Sequence, residues 1–558
     1  MWSPEQHYRN REKMKKAPLV TRHTRTNGNT AISLKTKKRT PAHSTLLALP
    51  ARRPFSTRAL PFLLLPLLAF ALLLLASRSQ SANAAPSRVA RRDSTYDVTL
   101  GRGYRFERGG WTYVHLEGAP HDIGVQHGYL MAPEIADFYG VVRLEMTHNT
   151  SRSWEFFRRA GREMLWPKID AEYQQELQGI TDGLNQHGLK LDLWDVVAMN
   201  AFAELPDYYV PWLNEQTKQA NAAHPTDRPV YGHCSAFVAT GSWTKDHRIV
   251  MGHNNWTSYV EGSRWRVVFD IVPRTGYRVL MDGLPGIIAS DDDFGVNTGG
   301  LMITETTIAR FHGWDPNGKP EFVRARKAMQ YAGSIDEFTN IMLDGNNGGY
   351  ANDWLLADRK TGEIARFELG LRHTKLWRTT DGYFAGSNFP SDPDVIKDDT
   401  TFNPDNASSS PNARHVRWDQ LINENKGKID TNLAEVFLSD HYDAFTKQTG
   451  PNLRTLCGHG ESSSEGEPAW DVKPYDPSGA VQGKVIDSRM AEAMTFTGRI
   501  GHPCGTDFDA AKFLSAHHDY SWESPIMQDM DTGPWTQFRI GEHAAPLAAA
   551  PASTSGGK

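Results

Sequence analysis

The chain has 558 residues, 39% hydrophobic and 23% charged, with 47 Gly, 32 Pro and only 3 Cys. That composition excludes collagen-like, low-complexity and cysteine-stapled chains, and the length allows a sizeable core. The net charge of -4 hides a basic head: residues 1–58 carry 14 Lys/Arg against Glu5 and Glu12, Arg78 adds one more, and residues 85–558 hold -17. Such an acidic body has no surplus to neutralise phosphates, which argues against nucleic acid as a partner.

Residues 59–76 (ALPFLLLPLLAFALLLLA) are uncharged, with Arg52, Arg53 and Arg58 before them and Ser81-Ala82-Asn83-Ala84 after. A basic flank, an apolar run and an Ala-x-Ala site form the pattern of an export signal cut after Ala84. The run is also just long enough to span hydrocarbon, so a retained single-pass anchor is the second reading, weakened by Pro61 and Pro66. Residues 1–84 are therefore read as a basic leader with a signal peptide or membrane anchor. The body is expected in an oxidising place: secreted, periplasmic or lysosome-like.

Short strands are predicted at 96–100 and 111–116, helices over 120–139 and 151–187 with Gly179 and Gly183 interrupting, and another helix at 193–205. The polar stretch 216–227 (QTKQANAAHPTD) reads as an exposed linker. From 231 the character changes to short strands at 233–239, 248–251, 265–271, 279–281, 287–290, 299–304, 354–357 and 364–369. Helices at 322–331 and 335–344 lie among them. After a loop at 403–413, helices at 415–423 and 432–438 precede a turn-rich C-terminal stretch and a frayed tail at 546–558. This order predicts layered α+β packing rather than a doubly wound sheet.

In an exported chain, Cys457 and Cys504 could pair, which leaves Cys234 odd. Its bland reading is a small buried hydrophobe. No CxxC, HExxH or calcium-loop spacing is present, so no metal or other cofactor is expected. Cys234 opens the strand Cys234-Ser235-Ala236-Phe237 directly after the polar linker. A cut between His233 and Cys234 would give that residue both a thiol and a free α-amine. The amine titrates near about 7.7–8.0 and can serve as general base for its own thiol. The thiol could also cut the chain itself, by an N-to-S acyl shift on the preceding carbonyl.

Four further polar clusters sit in turns at strand edges, where sites usually lie. They are His253-Asn254-Asn255-Trp256, Ser290-Asp291-Asp292-Asp293-Phe294, Asn297-Thr298-Gly299-Gly300 and Tyr350-Ala351-Asn352-Asp353-Trp354. An Asn carboxamide can stabilise an oxyanion. The acidic triple reads as a structural turn, and the alternative for His253 or Trp256 is an ordinary core residue.

The ordered series CSAF at 234–237, GHNNWTSY at 252–259, LPGIIASDDDFGVNTGGLMITETT at 284–307, NNGGYANDWLLAD at 346–358, FELG at 367–370, GSNFP at 386–390 and KVIDSRMA at 484–491 resembles the phospholipase B-like family. EGAPHDIGVQHGYL at 117–130 is a weaker match. That family belongs to the N-terminal-nucleophile (Ntn) hydrolases, with penicillin acyltransferases and bile salt hydrolases as relatives. The resemblance implies an α+β fold, a four-layer αββα sandwich with two stacked antiparallel sheets flanked by helices. It implies self-cleavage before Cys234, with a propeptide-like helical segment 85–233, a catalytic region 234–545 and two fragments that stay associated. It implies Cys234 as nucleophile, His253 and Trp256 lining the site, Asn352 as an oxyanion or amine-orienting residue and Thr306 near a further oxyanion donor. Arg366 is a weaker match to a basic residue of related sites. Where bile-salt-hydrolase relatives carry an Arg and an Asp three apart, this chain has His253 and Trp256, so that charge-based orientation would be lost.

The implied reaction is cofactor-free cleavage of phospholipid acyl esters through a thioester, with transient contact at a membrane surface. An amidase or acyltransferase acting on N-acyl amides or small peptides, and a non-catalytic binding protein that kept the fold, are the alternatives. Asn255-Trp256-Thr257 is a formal glycosylation sequon inside the implied site, so Asn255 is expected unmodified; Asn149 and Asn406 are the better acceptors.

Overall fold

Residues 234–258 set the pattern for the fold. An apolar strand that is buried on both faces needs a sheet neighbour on each edge and a packed layer above and below. In the computed structural model, which describes residues 93, 96–217, 234–291, 294–468 and 472–544, that need is met by two sheets. The 1–84 leader, most of the 216–227 stretch, His233, Asp292, Asp293 and the 546–558 tail lie outside the described residues.

In chain order the strands are β1 (Val98–Leu100), β2 (Gly103–Arg108), β3 (Trp111–Gly118), β4 (Ser235–Thr240), β5 (Val250–Ser258) and β6 (Val267–Pro273). Then follow β7 (Val279–Gly283), β8 (Gly295–Asn297), β9 (Leu301–Thr307), β10 (Asn352–Asp358), β11 (Glu363–Leu369), β12 (Thr374–Thr379) and β13 (Gly382–Gly386). The small hairpin β14 (Tyr442–Asp443) and β15 (Gln448–Thr449) precedes β16 (Ser478–Asp487), β17 (Thr495–Ile500) and β18 (Thr536–Arg539). One sheet has ten strands in the order β1-β2-β3-β6-β7-β8-β9-β10-β11-β12, and the other has six, β13-β4-β5-β16-β17-β18.

The sheets stack through an apolar layer that includes Ala236, Val238, Met251 and Ile486 from the six-stranded sheet and Val268, Leu280, Met302 and Leu355 from the ten-stranded one. The outer face of the larger sheet is covered by helices Ala132–Thr150, Ala171–His187, Leu193–Asn200, Glu321–Tyr331 and Ile335–Leu343. Helices Ser410–Glu424 and Thr431–Leu438 cover the outer face of the smaller one, with Trp418 and Phe437 packed on Phe237. The expected α+β sandwich is present, with one departure: β3 and β6 pair in parallel, so the larger sheet is mixed. The same pairing places residues on both sides of position 234 in one sheet.

Gly179 and Gly183 do not interrupt their helix. A Cβ at either would lie 2.3 Å from a backbone carbonyl of helix Pro120–Leu130, whose Gly124 and Gly128 are equally tight against Glu176 and Ile180. The glycines let two helices touch backbone to backbone.

The helix expected over 120–139 breaks at Met131 into Pro120–Leu130 and Ala132–Thr150, and the one expected over 151–187 is divided, with Ala171–His187 as its last part. Two other expected elements also differ. Residues 287–290 lie in a loop, not a strand. Their apolar side chains are buried, but the backbone is tied by Asn200, whose Oδ1 accepts from Ile288 N at 2.9 Å, and by His127, whose Nε2 accepts from Gly286 N at 2.9 Å. Burial drives His127 down to about 3, so its ring is a neutral acceptor at physiological pH. The C-terminal stretch, expected to be turns, supplies β16–β18. Gly479 and Gly483 masked β16 because they weaken strand propensity, yet each admits a close neighbour: Gly458 at the first and Trp535 at the second. Among the described residues no helix is long and apolar enough to cross a membrane.

Candidate active site

Cys234 stands immediately before β4 and is 1% exposed. Antiparallel pairing of β4 with β5 sets Ser235 opposite Asn254 and Ala236 opposite His253. The predicted residues Cys234 and His253 are thereby brought together. Their sulfur and a ring nitrogen lie within 4.8 Å of each other and of a carboxylate oxygen of Glu305 on β9. These three are also the atoms here that could hold a cation. Sγ of Cys234 is 3.9 Å from Oδ1 of Asn255, while the amide nitrogen of Asn255 is buried without a hydrogen-bond acceptor. Asn255 is itself 1% exposed, which leaves a glycan no room in the folded chain.

The guanidinium beside the thiol comes from an unexpected place. Arg414, fully buried on helix Ser410–Glu424, donates from Nη1 to the Cys234 carbonyl and to Ser235 Oγ, both at 2.9 Å. Its Nη2 donates to Asn388 Oδ1 at 2.8 Å, and Nε to Ser410 Oγ at 2.9 Å. The guanidinium also lies 4.4 Å from the ring centre of Trp256, a cation–π contact in a desolvated setting. Burial lowers Arg414 to about 9, so it remains charged at neutral pH. Such a cation stabilises negative charge that develops on a nearby sulfur. Asn388, at a left-handed φ of 64°, donates to the Thr307 carbonyl at 2.8 Å and so ties Arg414 to β9.

The other predicted residues are placed as follows. Trp256 is sandwiched between Arg414 and the 453–459 segment, and its Nε1 donates to Leu456 O at 3.2 Å. Thr306 lies against Gly386 of β13, where a Cβ would meet its Oγ1 at 2.4 Å. Asn352, on β10, is buried with both amide atoms free of hydrogen bonds. Register pairs Asn352 with Thr307 and Asp353 with Thr306, so the Asn352 and Thr306 side chains point to opposite faces of the sheet. Arg366 is engaged elsewhere: it pairs with Asp353 at 2.6 Å and donates to Phe389 O at 2.8 Å. Arg414, rather than Arg366, is the cation at Cys234.

Glu305, Asn388 and Arg414 were not singled out from sequence. Glu305 stands inside MITETT and Asn388 inside GSNFP, both recognised as motifs, but neither motif says which side chain turns toward the thiol. Arg414 lies in SPNARHVR, which has no distinguishing pattern.

Behind the site, Lys484 of β16 and Asp282 of β7 form an ion pair at 2.7 Å with both side chains at 0% exposure. Ser290 Oγ donates to the second oxygen of Asp282 at 3.0 Å. Lys484 is the β16 partner of His253, so this pair links the two sheets directly behind the site. A narrow cleft opens over Asn255 and Trp256. Its walls include apolar Val142, Met146, Phe202 and Trp265, and also four carboxylates, Glu145, Asp207, Glu261 and Asp291.

Fold and site define a layered α+β sandwich protein with a buried cysteine–histidine–glutamate centre, and with an acidic cleft lined by the neighbouring Asn255 and Trp256. The sequence model of the phospholipase B family matches residues 144–377, which include His253, Trp256, Glu305, Thr306 and Asn352. An uncharacterized protein of Archaeoglobus fulgidus is 23% identical over 280 residues, 46% of this chain and 43% of the relative. Putative phospholipase B-like 1 of Caenorhabditis elegans is 23% identical over 416 residues, 66% of this chain and 70% of its own. Phospholipase B-like protein C of Dictyostelium discoideum is 23% identical over 438 residues, 68% of this chain and 75% of its own. The chain thus spans less than half the length of the first of these relatives and about three quarters of the last. The chain is similar to the phospholipase B family over residues 144–377 and to phospholipase B-like proteins over about two thirds of its length.

Proposed function

We propose that this chain is an acyl hydrolase of the Ntn type, activated by cleavage between His233 and Cys234, with Cys234 as its nucleophile. The observation that carries the reading is the convergence on one buried thiol of an imidazole and a carboxylate, with a guanidinium clamped to the same residue's carbonyl.

In this mechanism the α-amine of Cys234 takes the thiol proton as sulfur attacks the acyl carbonyl. The resulting oxyanion accepts a hydrogen bond from the amide nitrogen of Asn255, with Asn352 as the further donor the family resemblance implies. Arg414 holds the Cys234 backbone so that amine and thiol keep their relative position. The protonated amine then gives its proton to the departing alkoxide or amine, leaving a thioester. Water adds to the thioester with the amine as base, and the carboxylic acid departs as the thiol is restored. Arg414 supplies the charge that related sites draw from the positions of His253 and Trp256.

The family name points to phospholipid acyl esters, and the four carboxylates of the cleft favour a substrate with a cationic group near its acyl carbonyl. Choline or ethanolamine phospholipids fit that description better than anionic ones. The same thioester chemistry cleaves amides, so N-acyl amides bearing an amine are the second reading. The 59–76 segment carries the expectation of export.

The test combines N-terminal sequencing with fatty-acid release from phosphatidylcholine, phosphatidylglycerol and N-acyl amides. The expected result is a fragment beginning at Cys234, with turnover of the zwitterionic lipid exceeding that of the anionic one. Cys234→Ala should remain uncleaved and lose on the order of 10⁴-fold or more in kcat. A Cys234→Ala protein that still splits and turns over substrate sinks the proposal. A processed wild-type chain that hydrolyses only amides selects the second reading.

A further inference from the structure

A second group of chemistry-bearing side chains meets away from the nucleophile. His441, Cys457, His459 and Cys504 each place one donor atom within 4.8 Å of the other three. The expected pairing of Cys457 with Cys504 is not made; both are free cysteines. Instead, each of the two sulfurs lies 3.5 Å from the same atom, Nε2 of His459.

That distance has a chemical meaning. Zinc–sulfur bonds of about 2.3 Å and zinc–nitrogen bonds of about 2.05 Å at the tetrahedral angle put sulfur and nitrogen about 3.6 Å apart. Both Cys–His separations therefore match an edge of a zinc tetrahedron. The second nitrogen of His459, Nδ1, meets Oε1 of Glu461 at 2.9 Å, the carboxylate–histidine arrangement that turns the other ring nitrogen toward a metal. Nε2 of His441 is buried and has no hydrogen-bond partner among the described residues. Two thiols and two imidazoles are a donor set for a borderline-soft cation, not for calcium or magnesium. With four protein donors no position is left for substrate, which marks a structural site.

We infer that His441, Cys457, His459 and Cys504 bind one zinc ion in a closed tetrahedral site. The ion ties together three segments, around 441, 457–459 and 504, that also share the hydrogen bonds Cys457 N to Asp440 O and Ser439 Oγ to Pro503 O. Of these, the 453–459 segment supports the active site from behind: the Leu456 carbonyl accepts from both Asn254 Nδ2 at 2.9 Å and Trp256 Nε1 at 3.2 Å. Zinc binding thus sets the floor on which Trp256, and through it Arg414, rests.

Metal content and native mass of the full chain, purified without chelator and after addition of Zn²⁺ alone, test this directly. About one zinc per chain is expected, with stoichiometry falling to about a tenth or less in Cys504→Ser and in His441→Ala. His441 is only half-buried, so that variant should fold even where loss of Cys457 prevents folding. Glu461→Gln should still bind zinc, but about 10–100-fold more weakly in competition with a chelator. Cobalt in place of zinc should give the intense thiolate-to-metal absorption, lost in Cys504→Ser and kept in Cys234→Ser. A metal-free chain whose mass is lower by two thiol hydrogens, with Cys457 linked to Cys504, overturns the inference. So does a chain with free thiols that takes up no added Zn²⁺, and so does zinc that is lost in Cys234→Ser and retained in Cys504→Ser.

Discussion

Among the described residues a cysteine meets histidine in two places, one buried and one partly buried, and they differ in what surrounds the sulfur. At Cys234 there is one thiol, a guanidinium clamped to the same residue's carbonyl, an amide nitrogen with no acceptor among the described residues, and a cleft lined by the neighbouring Asn255 and Trp256. At His459 there are two thiols, further imidazoles and a carboxylate fixing the ring. The first arrangement concentrates donors where negative charge would develop on a substrate; the second concentrates donors on one point between protein atoms. Burial alone does not separate the two settings. The partners do.

This contrast can be broken or sharpened by experiment, beginning with the proposed oxyanion donor. Asn255→Ala should lower kcat by about 10²–10³-fold while leaving metal content unchanged. An equal loss of metal would mean the two centres are one unit. Arg414→Lys keeps a charge but loses the planar fork that spans Cys234, Ser235 and Asn388; it should lower kcat/KM by about 10²-fold. Cleavage before position 234 should slow in the same variant, measured by the ratio of intact to split chain. Lys484→Met strands the Asp282 carboxylate between the sheets and should cost about 3–5 kcal/mol in denaturant unfolding. Adding Asp282→Leu should recover much of that loss, because the desolvation penalty goes with the second charge.

The smallest effect concerns pH. Burial next to Asp353 raises Glu368 from 4.5 to about 7. A carboxyl whose folded-state pKa exceeds its unfolded one binds protons more tightly in the folded chain. Its favourable contribution is therefore full below about 4.5 and is lost as pH rises to about 7. Glu368→Gln should flatten that part of the stability–pH profile measured by denaturant midpoints, while a profile unchanged by the substitution would show that Glu368 does not govern this range.

How much of this was legible beforehand follows from where each signal lies along the chain. Helices Glu321–Tyr331 and Ile335–Leu343 were read within a residue of their bounds because their apolar spacing is local. β16 escaped because its glycines, unfavourable in an isolated strand, are required by the close approach of Gly458 and Trp535. Cys234, His253 and Trp256 were legible because they fall on adjacent strands within recognisable motifs. Arg414 was not, since 180 residues separate it from the carbonyl that it holds. The metal-like cluster was missed for a related reason: its donors come from separate loops, and no short spacing such as CxxC announces them.

The odd cysteine behind a polar linker, the acidic body behind a basic head and the order of the motifs are properties of the linear chain, and they pointed to the family resemblance and to Cys234. Local pattern can do that because propensity and motif spacing act over a few residues. Which arginine reaches the Cys234 carbonyl, that Thr306 and Asn352 face opposite ways, and that two cysteines share a histidine rather than a disulfide were decided only by tertiary structure. Those outcomes depend on strand register and on the packing of distant segments. Charge and hydrogen-bonding capacity are buried there only where the whole fold supplies the partners.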